Sequence, residues 1–215
     1  LSGARSAADH AGPDARRRAI LDAAARRFAV AGVELTSIDD IARSLGATKG
    51  KIYHHFGSKG ELVRAIRLHS VQLTHDHVLP AYRGGGDPAT RLHRMAAAHV
   101  EVMMQALAYH RVVVETMRAH PHRGATQVER SLAAQTRALQ GTYEDLFRDV
   151  IREGIESGVF AGQNLSIALH SLMMLLNAPV YWYRPRLGER GTDRDAIKTQ
   201  IAAMALGALR AAPGD

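Results

Sequence analysis

Residues 36–56 read TSIDDIARSLGATKGKIYHHF, and no other stretch restricts the possible folds as tightly. Ile38, Ile41, Ala42 and Leu45 recur at spacings of three and four, which marks the buried face of a short helix. Gly46 supplies a turn, and Ile52 and Phe56, four apart, give the inner face of a second short helix over Lys49 to Phe56. Thr36 and Asp39 have the spacing of a hydroxyl cap and its answering carboxylate, and Thr48 can cap the second helix. Upstream, Ala19, Ile20, Ala23, Ala24 and Phe28 predict a longer helix from about Asp14 to Ala31, which Gly32 stops. One helix followed by two short ones around a glycine turn is the pattern of a helix-turn-helix unit.

The helical period continues downstream. Ser58 and Glu61 form another capping box and open a long helix through about Leu79, ended by Pro80 and the glycines at 84–86. Further helices are expected from Asp87-Pro88 to about Tyr109, from His110 to His120 before Pro121, and from Gln127 to Ser157. Leu165 to about Tyr183 is apolar nearly all round with a break at Pro179, and Asp195 to Ala211 completes the set. No segment has a competing strand period. The expected fold is all-α with about nine helices: a flexible arm over 1–13, a three-helix domain over 14–66 and a second helical domain over 67–215.

The charge is uneven. Residues 1–70 hold 12 Lys or Arg against 7 Asp or Glu, whereas residues 71–215 hold 16 against 14, within a net charge of +7. A positive excess at one end suits contact with a polyanion. The absence of cysteine excludes disulfides and thiolate zinc sites. No uncharged apolar run approaches the roughly 20 residues of a bilayer span, and the first residues lack the apolar core of a secretion signal. A soluble cytoplasmic protein with no membrane partner is expected.

With Ile52 and Phe56 inward, Thr48, Lys49, Lys51 and His54 or His55 turn outward. The N-terminus of this helix offers backbone N–H groups and a positive dipole suited to phosphate. Gly50 lets a backbone approach closely but costs the helix roughly 1 kcal/mol relative to alanine. Lys49 and Lys51 have two open readings: base contacts, worth about 1–3 kcal/mol of discrimination, or sequence-independent phosphate contacts.

The run TSIDDIARSLGATKGKIYHHFGSKGELVRAI resembles the DNA-binding region of the tetracycline-repressor family of bacterial regulators. Thr36, Ile41-Ala42, Gly46, Tyr53-His54-His55-Phe56 and Ser58-Lys59-Gly60-Glu61-Leu62 carry the likeness, over roughly residues 14–66. Lys51 departs from it, since many members have a small or hydroxylated residue there, and this leaves the target sequence open. The resemblance implies a homodimeric, ligand-responsive repressor of a palindromic double-stranded DNA operator. Thr36, Tyr53 and Lys59 would then meet phosphates, while Thr48, Lys49, Gly50, Lys51 and His54 form the reading surface with Arg43 at its flank. Arg5, Arg16, Arg17 and Arg18 either reach an adjacent minor groove or take no part.

The same resemblance assigns the remaining helices to dimerisation and effector binding. Leu169, Leu172, Leu176, Ile201, Met204, Ala205, Ala208 and Leu209 would make a four-helix dimer seam, unless these stripes only complete the monomer core. Met103, Met104, Met117, Met173 and Met174 are pliable groups that suit an effector pocket or a plain core. Tyr143, Phe147, Asn177 and Trp182 are further pocket candidates. IREGIESGVF and NAPVYWYRP resemble the C-terminal region of members that respond to acyl-CoA thioesters, which implies an apolar channel with Arg148, Arg152, Arg184 or Arg186 near the phosphates. An apolar drug-like effector controlling an efflux gene is the alternative. Either ligand would act by shifting the long helix that opens at Ser58 and so the spacing of the two reading helices.

Other chemistries find little support. His54 and His55 diverge by about 100° on a helix and cannot share an ion; His75 and His77 diverge further, and His120 and His122 straddle Pro121. No metal and no cofactor are expected. GxSxG, P-loop and dinucleotide fingerprints are all missing, which leaves an all-helical enzyme without a recognised motif as a remote alternative. A non-specific architectural DNA binder would not need the large apolar C-terminal body.

Overall fold

The computed structural model describes residues 12–117 and 124–210. Among them the chain is entirely helical: α1 (Pro13–Ala31), α2 (Ile38–Ser44), α3 (Lys49–His55), α4 (Lys59–Arg83), α5 (Pro88–Gln105), α6 (Leu107–Thr116), α7 (Gln127–Glu156), α8 (Leu165–Asn177), the single turn α9 (Pro179–Trp182) and α10 (Gly191–Arg210). Arg5, His120, Pro121 and His122 lie outside the described residues.

Two cores organise these elements. The first gathers Phe28 of α1, Ile41 of α2, Ile52 of α3 and Leu62 and Ile66 of α4, all fully buried, with Phe56 and, from α6, Val112. The second gathers Leu92, Met95 and Val100 of α5, Phe147 and Ile151 of α7, and Leu169 and Leu176 of α8. Helix α4 serves both: its first turns sit in one core and Val78 in the other. At about 1.5 Å per residue it spans about 37 Å. α4 packs along α7 and α5, while α6 lies against α1 and α4, so α6 touches the first core directly.

The caps explain the boundaries. Gly32 ends α1 at φ +84°, a conformation costly for any residue with a Cβ. α2 starts one residue later than the Thr36–Asp39 spacing suggests. Ser37 is the cap, with its Oγ 3.1 Å from Asp40 N, while Asp40 Oδ2 accepts from Ser37 N at 3.0 Å. Thr36 instead turns inward, 2% exposed, and its hydroxyl donates to Gly32 O at 2.7 Å. Thr48 Oγ1 accepts from Lys51 N to start α3, and Ser58 Oγ accepts from Glu61 N to start α4.

Three later boundaries differ from the sequence pattern. The α5–α6 break falls at Ala106 rather than at Tyr109, and it turns α6 so that Tyr109 meets Asp22 of α1 and His110 meets Ser70 of α4. α10 begins at Gly191, where Asp193 accepts from Arg190 N, rather than at Asp195. Leu165–Trp182 is an uncharged stretch of 18 residues, long and apolar enough by composition to cross a membrane, contrary to the expectation that no such run exists. Pro179 divides it into α8 and α9, and both pack against α5.

The dimer seam expected from α8 and α10 needs correction. Leu169, Leu172, Leu176, Ile201, Ala205 and Leu209 are buried within the single chain, because α10 packs on α5 and α8 packs on α7. Periodicity identifies an apolar face but not what covers it. Met204 and Ala208 are exposed on α10, and Ile167, Met174 and Tyr181 are exposed apolar side chains of α8 and α9.

Candidate nucleic-acid interface and ligand region

Burial of Ile52 fixes the rotation of α3, and Phe56 closes it by donating its N–H to Ile52 O at 3.0 Å. Thr48, Lys49, Gly50, Lys51, Tyr53 and His54 are consequently exposed on one side, with Arg43 exposed at the end of α2. Lys49 Nζ lies 3.1 Å from Asp39 Oδ2, a hydrogen bond that raises its pKa, and Arg43 Nη1 lies 2.9 Å from Asp40 Oδ1. Both pairs are solvent-exposed and cost little to open. Lys59, in the first turn of α4, donates to Glu34 O at 3.2 Å. Thr36 does not join this surface, since its side chain is buried against Gly32.

The arginines of α1 are a helix face and not part of an arm. Arg17 stacks over Phe56 with its guanidinium carbon 4.5 Å from the ring centroid, and Arg18 donates to His69 Nε2. Arg16 lines a cleft of about 610 Å³ between α1 and α3, opposite Lys51 and His54. His55 faces the same cleft half-buried, and burial followed by the charges of His54, Arg16 and Arg17 lowers its pKa. It is a packing residue beside the surface that His54 occupies.

A polar cluster sits inside the second core. His99 of α5, 2% exposed, places Nδ1 2.5 Å from the Tyr143 hydroxyl of α7 and Nε2 3.3 Å from Asn177 Oδ1 at the end of α8. With Asn177 presenting its oxygen, His99 Nε2–H donates and Nδ1 accepts from Tyr143. Burial lowers the His99 pKa to about 4, so the imidazole is neutral at physiological pH, and burial raises that of Tyr143. His110 lies nearby, 2.8 Å from Ser70 Oγ, its pKa lowered to about 3 by burial and by His99.

The pocket residues expected from sequence separate into two groups. Met103, Met104, Tyr143 and Phe147 are buried together, and Phe147 stands edge-on to both His99 and Tyr143; Met173 and Asn177 are half-buried. Met117 and Trp182, at the C-terminal ends of α6 and α9, are instead 59% and 52% exposed. Sequence reasoning missed His99, whose partners lie 44 and 78 residues away in the chain. Among the described residues, no three or more His, Asp or Glu converge as a metal site would require.

Near the exposed end of this region Arg111 and Arg184 both donate to Tyr183 O, at 2.9 and 3.0 Å. Arg148 and Arg152 are occupied differently, paired along α7 with Asp145 and Asp149.

A helix-turn-helix with an exposed basic reading face, fused through a shared helix to an apolar helical body, defines a DNA-binding transcription regulator. Family models agree over both parts: "Bacterial regulatory proteins, tetR family" matches residues 20–66, and "Tetracyclin repressor-like, C-terminal domain" matches residues 85–209. The chain belongs to the tetracycline-repressor family of transcription regulators and is not an enzyme. The HTH-type transcriptional repressor KstR2 of Mycobacterium tuberculosis is 28% identical over 177 residues, covering 80% of this chain and 83% of that one. Among solved structures, the regulator PfmR of Thermus thermophilus superposes with a TM-score of 0.75 at 26% identity, covering 87% of this chain and 97% of that one. AibR, solved with isovaleryl coenzyme A and operator DNA, shares the fold with a TM-score of 0.69 at 23% identity over 91% of this chain and 98% of its own.

Proposed function

We propose that this chain is a cytoplasmic repressor that binds a palindromic operator as a homodimer and is released by an acyl thioester of coenzyme A. The observation that carries the reading is the exposure of Thr48, Lys49, Gly50, Lys51, Tyr53 and His54 at the cap and along α3, held outward by the burial of Ile52 and Phe56 beside the N-terminus of α4. Residues 14–66 form the DNA-binding domain and 67–215 the effector and dimerisation domain. Tyr53 and Lys59 meet phosphates, Lys49, Lys51 and His54 meet base edges together with Thr48 and Gly50, and Arg43 flanks them. Lysines reach guanine in the major groove, which suits a helix inserted there.

Replacing Lys59 by alanine and Tyr53 by phenylalanine removes two phosphate contacts and no core packing. Operator affinity is expected to fall roughly tenfold, with the slope of log affinity against log salt reduced by about 1 for the lost cation. Fluorescence anisotropy across a salt series measures both, and an unchanged slope would remove Lys59 from the interface.

Dimerisation is assigned to the uncovered face of α8–α10 rather than to the buried leucines. Met174 is 63% exposed and Met204 is 52% exposed, too apolar a surface to leave in water. Met174→Arg would place a charge in the seam of each protomer, where desolvation and like-charge contact cost several kcal/mol. Sedimentation should show the dimer dissociation constant rising at least tenfold, whereas an unaltered dimer would move the seam elsewhere.

The effector is assigned to the region where α5, α7 and α8 meet around His99. His99 and Asn177 suit a neutral carbonyl, Met103 and Phe147 suit an apolar chain, and Arg111 with Arg184 suits phosphates at the outer end. AibR binds isovaleryl coenzyme A, which supports the same ligand class in a chain of this fold. Repression is relieved if the ligand prefers the arrangement in which the two reading helices no longer match the groove spacing. Titration calorimetry with octanoyl-CoA and free octanoate tests this. Binding of the thioester alone, abolished with Arg111→Ala and Arg184→Ala, supports it; binding of neither, with binding of an uncharged drug-like compound, would replace it.

A further inference from the structure

Two carboxylates from the effector side hold the helix-turn-helix unit at its two ends. Glu115, in the last turn of α6, accepts from Val33 N at 2.6 Å, just after α1. Glu129, in the first turn of α7, accepts from the Ser58 hydroxyl at 2.7 Å, the cap of α4. Everything between these two attachments is the reading apparatus, α2 and α3 with their connecting turns.

The local sequence is shaped for both contacts. Each carboxylate lies beside a glycine: a Cβ at Gly32 would come within 3.3 Å of Glu115 Oε1, and one at Gly60 would collide with Glu129 Oε1. Val33 and Glu129 are each 8% exposed, while Glu115 is exposed and Ser58 half-buried, so each contact has one buried partner. Glu129 also accepts from Thr126 N at 3.2 Å, which ties the same carboxylate into the start of α7. At 1.5 Å per residue, Tyr143 lies about 21 Å further along that helix, in contact with His99. One unbroken helix therefore joins the His99 contact to the cap of α4.

We infer that Glu115 and Glu129 are positioning residues for DNA binding, a two-point clasp through which α6 and α7 fix the posture of the helix-turn-helix unit. Neither carboxylate touches DNA. They act through Val33 and Ser58, and loosening them frees the orientation of α3 without removing any residue that meets the duplex. The inference rests on the DNA-binding and homodimer parts of the proposed function but not on the identity of the effector.

The test uses the full chain and a DNA site recovered by in-vitro selection with the wild-type protein. Glu115→Ala with Glu129→Ala should lower affinity for that site at least tenfold while leaving the salt slope unchanged, because no phosphate contact is lost. Glu115→Gln with Glu129→Gln keeps both acceptors and should restore most of the affinity. The chain has no cysteine, so Ser44→Cys gives one spin label per protomer. Distances between the two labels should form a narrow distribution in the wild type and a broad one in the alanine pair. Affinity within twofold of wild type and an unbroadened distribution would overturn the clasp. Should the alanine pair fail to fold, Gly60→Ala, which wedges Glu129 away from Ser58, must itself weaken binding and broaden the distances; wild-type behaviour of that variant refutes the inference. If wild type selects no site, the proposed function fails, while the label distances still decide the clasp.

Discussion

Acidification from pH 7 to pH 5 is expected to remove about 3–4 kcal/mol of folding stability, before most carboxylates titrate. His99 and His110 are the source. Each has an ordinary pKa of 6.5 when unfolded, against about 4 and about 3 when buried in the folded chain. Below pH 6.5 the unfolded chain takes up protons at both sites and the folded chain does not. The stability present above pH 6.5 is therefore lost as pH falls towards the folded values, at roughly 1.4 kcal/mol per pH unit for each histidine. His55 and His69, also lowered chiefly by burial, add in the same direction. Denaturant titrations at the two pH values, at fixed protein concentration, measure the loss. His99→Gln with His110→Asn should remove most of the difference between the two titrations, leaving the smaller part due to His55 and His69, and an equally steep dependence in that variant would assign the acid sensitivity elsewhere.

Phe56→Ala should abolish operator binding while sparing the effector body. Phe56 is 1% exposed against Ile52, and its ring carries the Arg17 guanidinium on one face. Removing it costs about 3–5 kcal/mol for the large-to-small change and up to about 1 kcal/mol more for the lost cation–π contact. The first core is a cluster of its own, joined to the second through α4 and α6, so most of the damage is expected to stay in α1–α3 and the start of α4. Amide exchange of α2 and α3 should rise by two orders of magnitude or more while α5 and α7 keep their protection. Operator affinity would fall at least a hundredfold. Retained binding would mean that α3 does not depend on this core for its orientation.

These residues also show what a linear sequence can convey. The short helices were legible because their caps and apolar spacings are local: Ser58, Thr48, Ile52 and Phe56 all act within a turn or two. The same locality made one cap ambiguous. Thr36–Asp39 and Ser37–Asp40 have identical spacing, and the contact that decides between them, Thr36 to Gly32 O, depends on how the chain leaves α1. The apolar stripes of α8 and α10 were legible as stripes, but whether Leu169 or Met174 faces a partner depends on where α5 and α7 lie. Nothing local marks Glu115 and Glu129, since their partners are 82 and 71 residues away. His99 was hidden for the same reason, a lone histidine on an apolar face until α7 and α8 bring Tyr143 and Asn177 to it.

The most direct test of a dimeric, sequence-reading repressor is in-vitro selection from random duplex DNA followed by footprinting of the enriched site. Two inverted half-sites centred about 34–36 Å apart, or at a multiple of that spacing, are expected, protected by wild-type protein and altered in sequence by Lys51→Ala. No enriched sequence, or a site without inverted symmetry bound by a monomer, would contradict it.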